Sequence, residues 1–330
     1  MISVLLPYRD AVAHLEEALG SILADGAADE VVAIDDGSRD GGAALVERWA
    51  RRERRLVPIA TGGVGVAEAL QRGLAVARGE LIARMDADDV SLPGRLAAER
   101  RLLGGDARLG AVGVRVEGFP SIGNGLAAYL AWQNGLVTSD EHARDLFVEA
   151  PLCHPSVLAR REALDDVGGW RRAPWAEDYD LWLRMDARGW RMAKVPEVLF
   201  RWRHREGRAT FAAAECAPER LVEARACYLA PRLAGRRFVV WGAGQTGKRL
   251  ARALEAHGAR PDAFVDVDPR KVGRPARAAR IVDADGFLAA GPRDAPFVVV
   301  AVGARGAREI VRGRLTRAGF VEGAEFVAAA

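Results

Sequence analysis

Cysteine is scarce in this 330-residue chain: Cys153, Cys216 and Cys227 are the only three. An odd number without metal-type spacing argues against a disulfide framework and a cysteine zinc site, and favours a reducing compartment. Lysine is nearly missing. Three of the 48 basic residues are Lys, leaving 48 − 3 = 45 Arg, a bias of the gene as much as of physics. No apolar run approaches the roughly 20 residues that span a bilayer. The N-terminus has no basic stretch followed by an apolar one, so nothing there reads as a signal peptide. Internal repeats and low-complexity tracts are also missing. These absences point to a cytoplasmic protein, and leave peripheral contact with the inner face of the membrane open.

What remains is ordinary globular material, with 50% hydrophobic and 28% charged residues and enough length for two domains. Charge divides unevenly. Residues 236–330 hold 17 Lys+Arg and 10 Asp+Glu, a net of +7; subtraction from 48 and 45 leaves 31 against 35, a net of −4, for residues 1–235. The densest basic run, "RRERR" at 51–55, ends a predicted helix, where cations are favoured. No basic stripe is interleaved with aromatics, so nucleic acid is not an expected partner.

The first hundred residues alternate. "ISVLLP" (2–7), "EVVAIDDGS" (30–38), "RLVPIA" (55–60) and "GELIARMD" (79–86) read as strands. "AVAHLEEALGSILA" (11–24), "GGAALVERWARRE" and "GVAEALQRGLAVA" (65–77) read as helices. This alternation predicts βαβ units and a Rossmann-like sheet, whose ligands bind at the carboxyl ends of the strands. Pro7, Asp35-Asp36 and Asp86-Asp88 all fall at such ends. Residues 105–205 are less regular and hold six of the eight tryptophans, which suit a sugar-binding surface or a core equally. Residues 206–235 read as a helical linker.

Asp86-Ala87-Asp88 places two carboxylates on one side of an extended segment. They repel unless a cation lies between them, and hard dications such as Mg²⁺ or Mn²⁺ prefer oxygen ligands shared with a substrate phosphate. A solvated acidic turn is the simpler reading of the triplet alone. Its register with "IDDGS" favours the cation.

"SVLLPYRDA", "VVAIDDGSRDGG", "GGVGVAEALQRGLAVARGELIARMDADDVSLPGRL" and "WAEDYDLWLRM" resemble, in order and spacing, the family 2 glycosyltransferases of GT-A fold. The resemblance spans residues 1–205. It implies a metal-dependent, inverting transfer from a nucleotide-sugar, with UDP the expected nucleotide, to a saccharide or lipid-linked acceptor, with Mn²⁺ or Mg²⁺ as cofactor. By the same resemblance Asp36 would accept from the base and Asp35 would support it. Pro7, Tyr8, Arg9, Gly65 and Arg72 would line the nucleotide site. Asp88 would hold the metal, and Asp86 the ribose or the metal. Asp178 would be the general base beside Glu177, and His204 a further metal or phosphate contact. His154 and Arg160 in "HPSVLARREAL" face the acceptor or serve the fold. The run Pro7-Tyr8-Arg9-Asp10 departs from the family's aromatic-Asn pair, so Tyr8 or Arg9 would have to replace the stacking ring. The Q-x-x-R-W motif of processive synthases is absent.

Residues 236–330 form another α/β unit. "GAGQTG" (Gly242, Gly244, Gly247) follows a strand and opens a helix, and Asp266 comes 19 residues after Gly247. That is the context of a dinucleotide-binding loop. The unit resembles small Rossmann-like modules of sugar acyltransferases and C-methyltransferases, which implies nucleotide binding or docking. Two other functions stay open for the chain. A nucleotidyltransferase would normally carry a glycine-rich basic loop after the first strand, and "LLPYRDAVAH" has none. A catalytically silent scaffold has no need of Asp36, Asp88 and Asp178 together.

Overall fold

A computed structural model describes residues 1–204 and 214–330. The chain forms two compact units. One comprises Met1–Ala143 and the described part of Pro151–Ala212; the other comprises Arg144–Ala150 and the described part of Ala213–Ala330.

The first unit is built on β1 (Ile2–Tyr8), β2 (Glu30–Asp35), β3 (Leu56–Ala60), β4 (Leu81–Arg84), β5 (Val90–Ser91), β6 (Leu109–Phe119), β7 (Val157–Arg160) and β8 (Arg191–Arg203). They form one sheet in the order β3-β2-β1-β4-β7-β6-β8-β5. Strands β1 to β4 pair in parallel, as the alternation requires. Strand β7 runs antiparallel to both β4 and β6, so the sheet is mixed. This is the GT-A arrangement. All of β1 is buried, which is why it reads as a continuous apolar run and not as an alternating one. Pro7 lies inside β1, one residue before its end. The ladder to β4 stops at Leu5, so no β4 carbonyl lacks a donor there.

Helices α1 (Val12–Ala24), α2 (Gly42–Ala50), α3 (Val66–Val76) and α4 (Arg95–Gly105) connect the first strands. Helix α3 packs so closely on β2 that a Cβ at Gly73 would stand 2.3 Å from Ile34. Helix α4 props the end of β4. Arg95, fully buried with Glu99, donates from Nη2 to the Arg84 carbonyl at 2.9 Å. After β6 come α5 (Asn124–Gly135), α6 (Ser139–Asp145), α7 (Arg161–Asp166) and α8 (Glu177–Ala187).

The second unit carries β9 (Phe238–Trp241), β10 (Ala263–Asp266), β11 (Pro275–Ala276), β12 (Ala279–Asp283), β13 (Phe297–Val300) and β14 (Phe326–Ala328). Their order is β11-β12-β10-β9-β13-β14, parallel except for the β11 hairpin. Helices α9 (Pro218–Leu233), α10 (Gln245–Ala256), α11 (Ala284–Ala289) and α12 (Ala307–Arg317) accompany them. Val239, Trp241, Val265, Val298, Leu315 and Phe326 form its core. Asp145 joins this unit by pairing with Arg312 of α12. Of the stretch 206–235 read as a linker, 206–213 lies outside the described residues, and Pro218–Leu233 is helical.

Candidate active site

Strands β1, β2 and β4 end on one edge, and the loops beyond them bear the carboxylates. Asp36 is buried there and organises the loop after β3. It accepts from Thr61 Oγ1 and the Val64 amide at 2.7 Å, and from the Gly65 amide at 2.9 Å. Burial alone would raise its pKa. The hydrogen bonds from Thr61, Gly65 and Val64 prevail and hold it below the usual carboxylate range. Gly65 adopts φ 90°, a left-handed conformation that brings its N–H to Asp36. Arg72 closes the same loop, donating from Nη1 to the Thr61 carbonyl at 3.2 Å, and Arg172 donates to the Val64 carbonyl. Asp35 accepts from the Ser38 amide at 2.8 Å, which fixes the turn after β2.

Pro7 and Tyr8 close β1, and the Tyr8 ring packs into the core, 4% exposed. Burial, with the negative charges of Asp35, Glu47 and Asp40, pushes its phenol pKa up. Arg9 is exposed, with its guanidinium beside Gly63.

The tip of β4 gathers Asp86, Asp88 and Asp89. One ligand oxygen from each lies within 4.8 Å of the others. Asp88 and Asp89 are buried. Arg203, at the end of β8, donates from its amide to Asp89 Oδ1 at 2.7 Å and from Nε to the Asp88 carbonyl at 2.6 Å. Arg84, 5% exposed, pairs with Asp86. Burial opposes its charge, yet the fields of Asp86, Glu177 and Asp89 keep the guanidinium firmly protonated. His204 follows Arg203; its amide donates to the Phe119 carbonyl at 2.7 Å, and it is not part of the acidic cluster found among the described residues.

Glu177 and Asp178 open α8, where acids are favoured by the helix N-terminus. Burial first, and the Glu177 charge second, push Asp178 up to about 6, against the opposing influence of His154, the Tyr179 amide and Arg84. Glu177 is half-buried, which opposes its charge, but contact with His154 and the charge of Arg84 hold it below its ordinary value. The two neighbours are thus pushed apart, one toward the proton and one away from it. His154 Nδ1 stands 3.6 Å from Glu177 Oε1, and Trp170 Nε1 donates to His154 Nε2 at 2.8 Å. Arg160 instead donates to the Leu109 and Leu103 carbonyls at 2.9 and 2.6 Å.

Arg84, Arg172 and Arg203 were not marked by the sequence. Arg84 had one available signal, a charged residue inside the apolar run "LIAR" at a strand end. In the second unit Gly242 takes φ 117°, and a Cβ at Gly247 would lie 1.9 Å from the Gly242 carbonyl oxygen. Gly244 precedes α10 and has open space. Asp266 accepts from the Ala243 amide at 2.9 Å, the Asp268 amide at 3.0 Å and Lys271 Nζ at 3.0 Å.

The family model "Glycosyl transferase family 2" matches residues 3–168. The chain belongs to glycosyltransferase family 2. It is a glycosyl-transferring enzyme, as its relatives are. The amylovoran biosynthesis glycosyltransferase AmsE of Erwinia amylovora is 28% identical over 207 residues, covering 62% of this chain and 76% of its own. The glycosyltransferase EpsE of Bacillus subtilis, itself named as putative, is 27% identical over 210 residues, covering 61% and 72%. Two solved structures share the fold. The mannosyltransferase PcManGT of Pyrobaculum calidifontis, with GDP-Man and Mn²⁺, has TM-score 0.51 at 21% identity over 71% of this chain and 63% of its own. TarS 1–349 of S. aureus, with UDP-GlcNAc, has TM-score 0.55 at 17% identity over 78% and 72%. No helix among the described residues is long and apolar enough to cross a membrane.

Proposed function

We propose that the first unit moves a sugar from a nucleotide-sugar to an acceptor hydroxyl on a saccharide or lipid-linked saccharide, with inversion. The observation that carries this is a buried arginine whose charge acts on two acidic groups. Arg84 pairs with Asp86 of the β4 tip, and its charge acts on Glu177 and Asp178 at the head of α8. Donor-side and acceptor-side carboxylates therefore share one small region.

The tip offers only hard oxygen donors, converging within 4.8 Å, which fits a dication of the Mg²⁺ or Mn²⁺ type. Asp88 and Asp86 would hold it, and when bound it neutralises charge on a diphosphate leaving group. Asp36 and Arg72 shape the loop Thr61–Gly65 against which the nucleotide would rest, and Arg9 is the exposed side chain beside it. The chemistry is one displacement. The acceptor oxygen bonds to the anomeric carbon while the bond from that carbon to the diphosphate oxygen breaks, and its electron pair leaves with the nucleotide. Asp178 takes the hydroxyl proton. A carboxylate pushed up to about 6 holds that proton better than an ordinary one and is still ionised at neutral pH.

A thermal-shift screen of UDP- and GDP-sugars, with Mn²⁺, Mg²⁺ or EDTA, tests this reading and identifies the base. One nucleotide-sugar should stabilise the chain in a metal-dependent way. Absence of any such shift across both nucleotides would remove the donor assignment. NMR of the product then reads the anomeric configuration.

A further inference from the structure

His154 begins a single 3₁₀ turn, His154–Ser156, just ahead of β7, and it is 6% exposed. Its ring sits between two buried indoles. Trp170 lies 6.0 Å away, centroid to centroid, and Trp182 meets it edge-on, also at 6.0 Å. Trp182 is on α8, the helix that starts with Glu177 and Asp178. An apolar cage would suit a phenylalanine better than a histidine, so the polar atoms need a reason.

The donor inventory supplies one. An indole N–H can only donate. Because Trp170 Nε1 donates to His154 Nε2, that nitrogen carries no proton. The ring proton is therefore on Nδ1, which faces Glu177 Oε1 at 3.6 Å. This is long for a hydrogen bond, and such contacts often tighten when substrate binds. The N–H dipole favours the charged form of Glu177. An anionic Glu177 in turn disfavours a second negative charge next door, so the proton goes to Asp178 when the pair takes one.

We propose that His154 is a positioning residue: held by Trp170 in the Nδ1–H tautomer, it keeps Glu177 as the carboxylate and so makes Asp178 the member of the pair that accepts the acceptor's proton. The proposal rests on Asp178 being the base. The other groups acting on the pair are Arg84, at the end of β4, and the Tyr179 amide, which donates to Asp178 Oδ1 at 2.7 Å. The sulfur chemistry of Cys153 and the acids of the β4 tip are not required.

Two measurements on the full chain test it. The first is long-range ¹H–¹⁵N NMR of the five histidines in the native protein, assigned with His154→Asn. His154 should show a protonated Nδ1 and a bare Nε2 at neutral pH; an Nε2–H tautomer or an imidazolium there overturns the proposal. The second is the pH profile of kcat for His154→Asn, His154→Gln and Trp170→Phe. The Asn amide reaches the Nδ1 position and should keep the acidic limb. Gln places its donor at the Nε2 position, and Trp170→Phe releases the tautomer. Both should move the limb down by about one pH unit, a tenfold change in proton affinity, with the donor KM unchanged. Coincident limbs in all four proteins would defeat the proposal, because a packing role alone has no reason to spare Asn and shift Gln. Failure of the base itself looks different: Asp178→Asn would then turn over normally whatever His154 does.

Discussion

The two sheets end their parallel strands in opposite electrostatic styles. At the end of β10, Asp266 is closed by its own chain: two amides and Lys271 satisfy and neutralise it. At the end of β4, Asp86, Asp88 and Asp89 crowd within 4.8 Å of one another, with Arg84 as the buried cation beside them. A carboxylate that braces a loop is best when saturated. Carboxylates gathered against their mutual repulsion need charge brought to them. The strand-end position is common to both; the crowding of three carboxylates separates a candidate ligand site from a brace built on one. Asp36 shows that both kinds coexist in the first unit, since it is held much as Asp266 is.

The sharpest break would come at α8. Asp178→Asn should lower kcat by about 10²–10⁴-fold, the usual worth of a positioned base. Nucleotide affinity by calorimetry should be unchanged. Near-native turnover would leave the acidic groups of the first unit without their catalytic member. Next is the support under the tip. Glu99→Ala would take the acceptor from Nε of the fully buried Arg95 that holds the Arg84 carbonyl, at a cost of about 1–3 kcal/mol in urea unfolding. A loss below 1 kcal/mol would mean that α4 does not brace the β4 end.

Asp88→Ala should reduce nucleotide affinity measured with Mn²⁺ to the level measured in EDTA. If the native protein binds equally in both, the tip is a braced loop like its counterpart in the second unit. Asp266→Ala, in that unit, should cost about 1–3 kcal/mol by leaving the Ala243 amide and Lys271 without their acceptor. No change in melting temperature would show that saturation there carries little stability.

The smallest effect is in pH. Asp178 is pushed up to about 6 from an ordinary 3.8, so kcat should rise through pH 6 as the base ionises. Stability should move the other way. The folded protein holds this proton more tightly than the unfolded chain does, so the contribution is full below pH 4 and lost as pH rises through 6. Parallel profiles of kcat and melting temperature should therefore slope oppositely across that window. Asp178→Asn should flatten the stability slope.

By itself the sequence determined the βαβ alternation of the first hundred residues, the strand-end placing of Asp36, Asp86 and Asp88, and the family. These follow from local signals: apolar runs buried on both faces, glycines at turns, and acids where a strand stops. It did not disclose β6 and β8, whose long parallel pairing joins residues about eighty apart, or the seven residues Arg144–Ala150 that belong with the second unit. It also did not tell which groups meet each acid. Asp36, Asp88, Asp178 and Asp266 are the same residue type in similar settings. Only the tertiary structure brings Thr61 to Asp36, Arg203 to the Asp88 carbonyl, and the charges of Arg84 and His154 to bear on Asp178, whereas Lys271, five residues past Asp266, is a local partner. Charge interactions at a few ångströms depend on which groups meet in space, and no local pattern of residues encodes that.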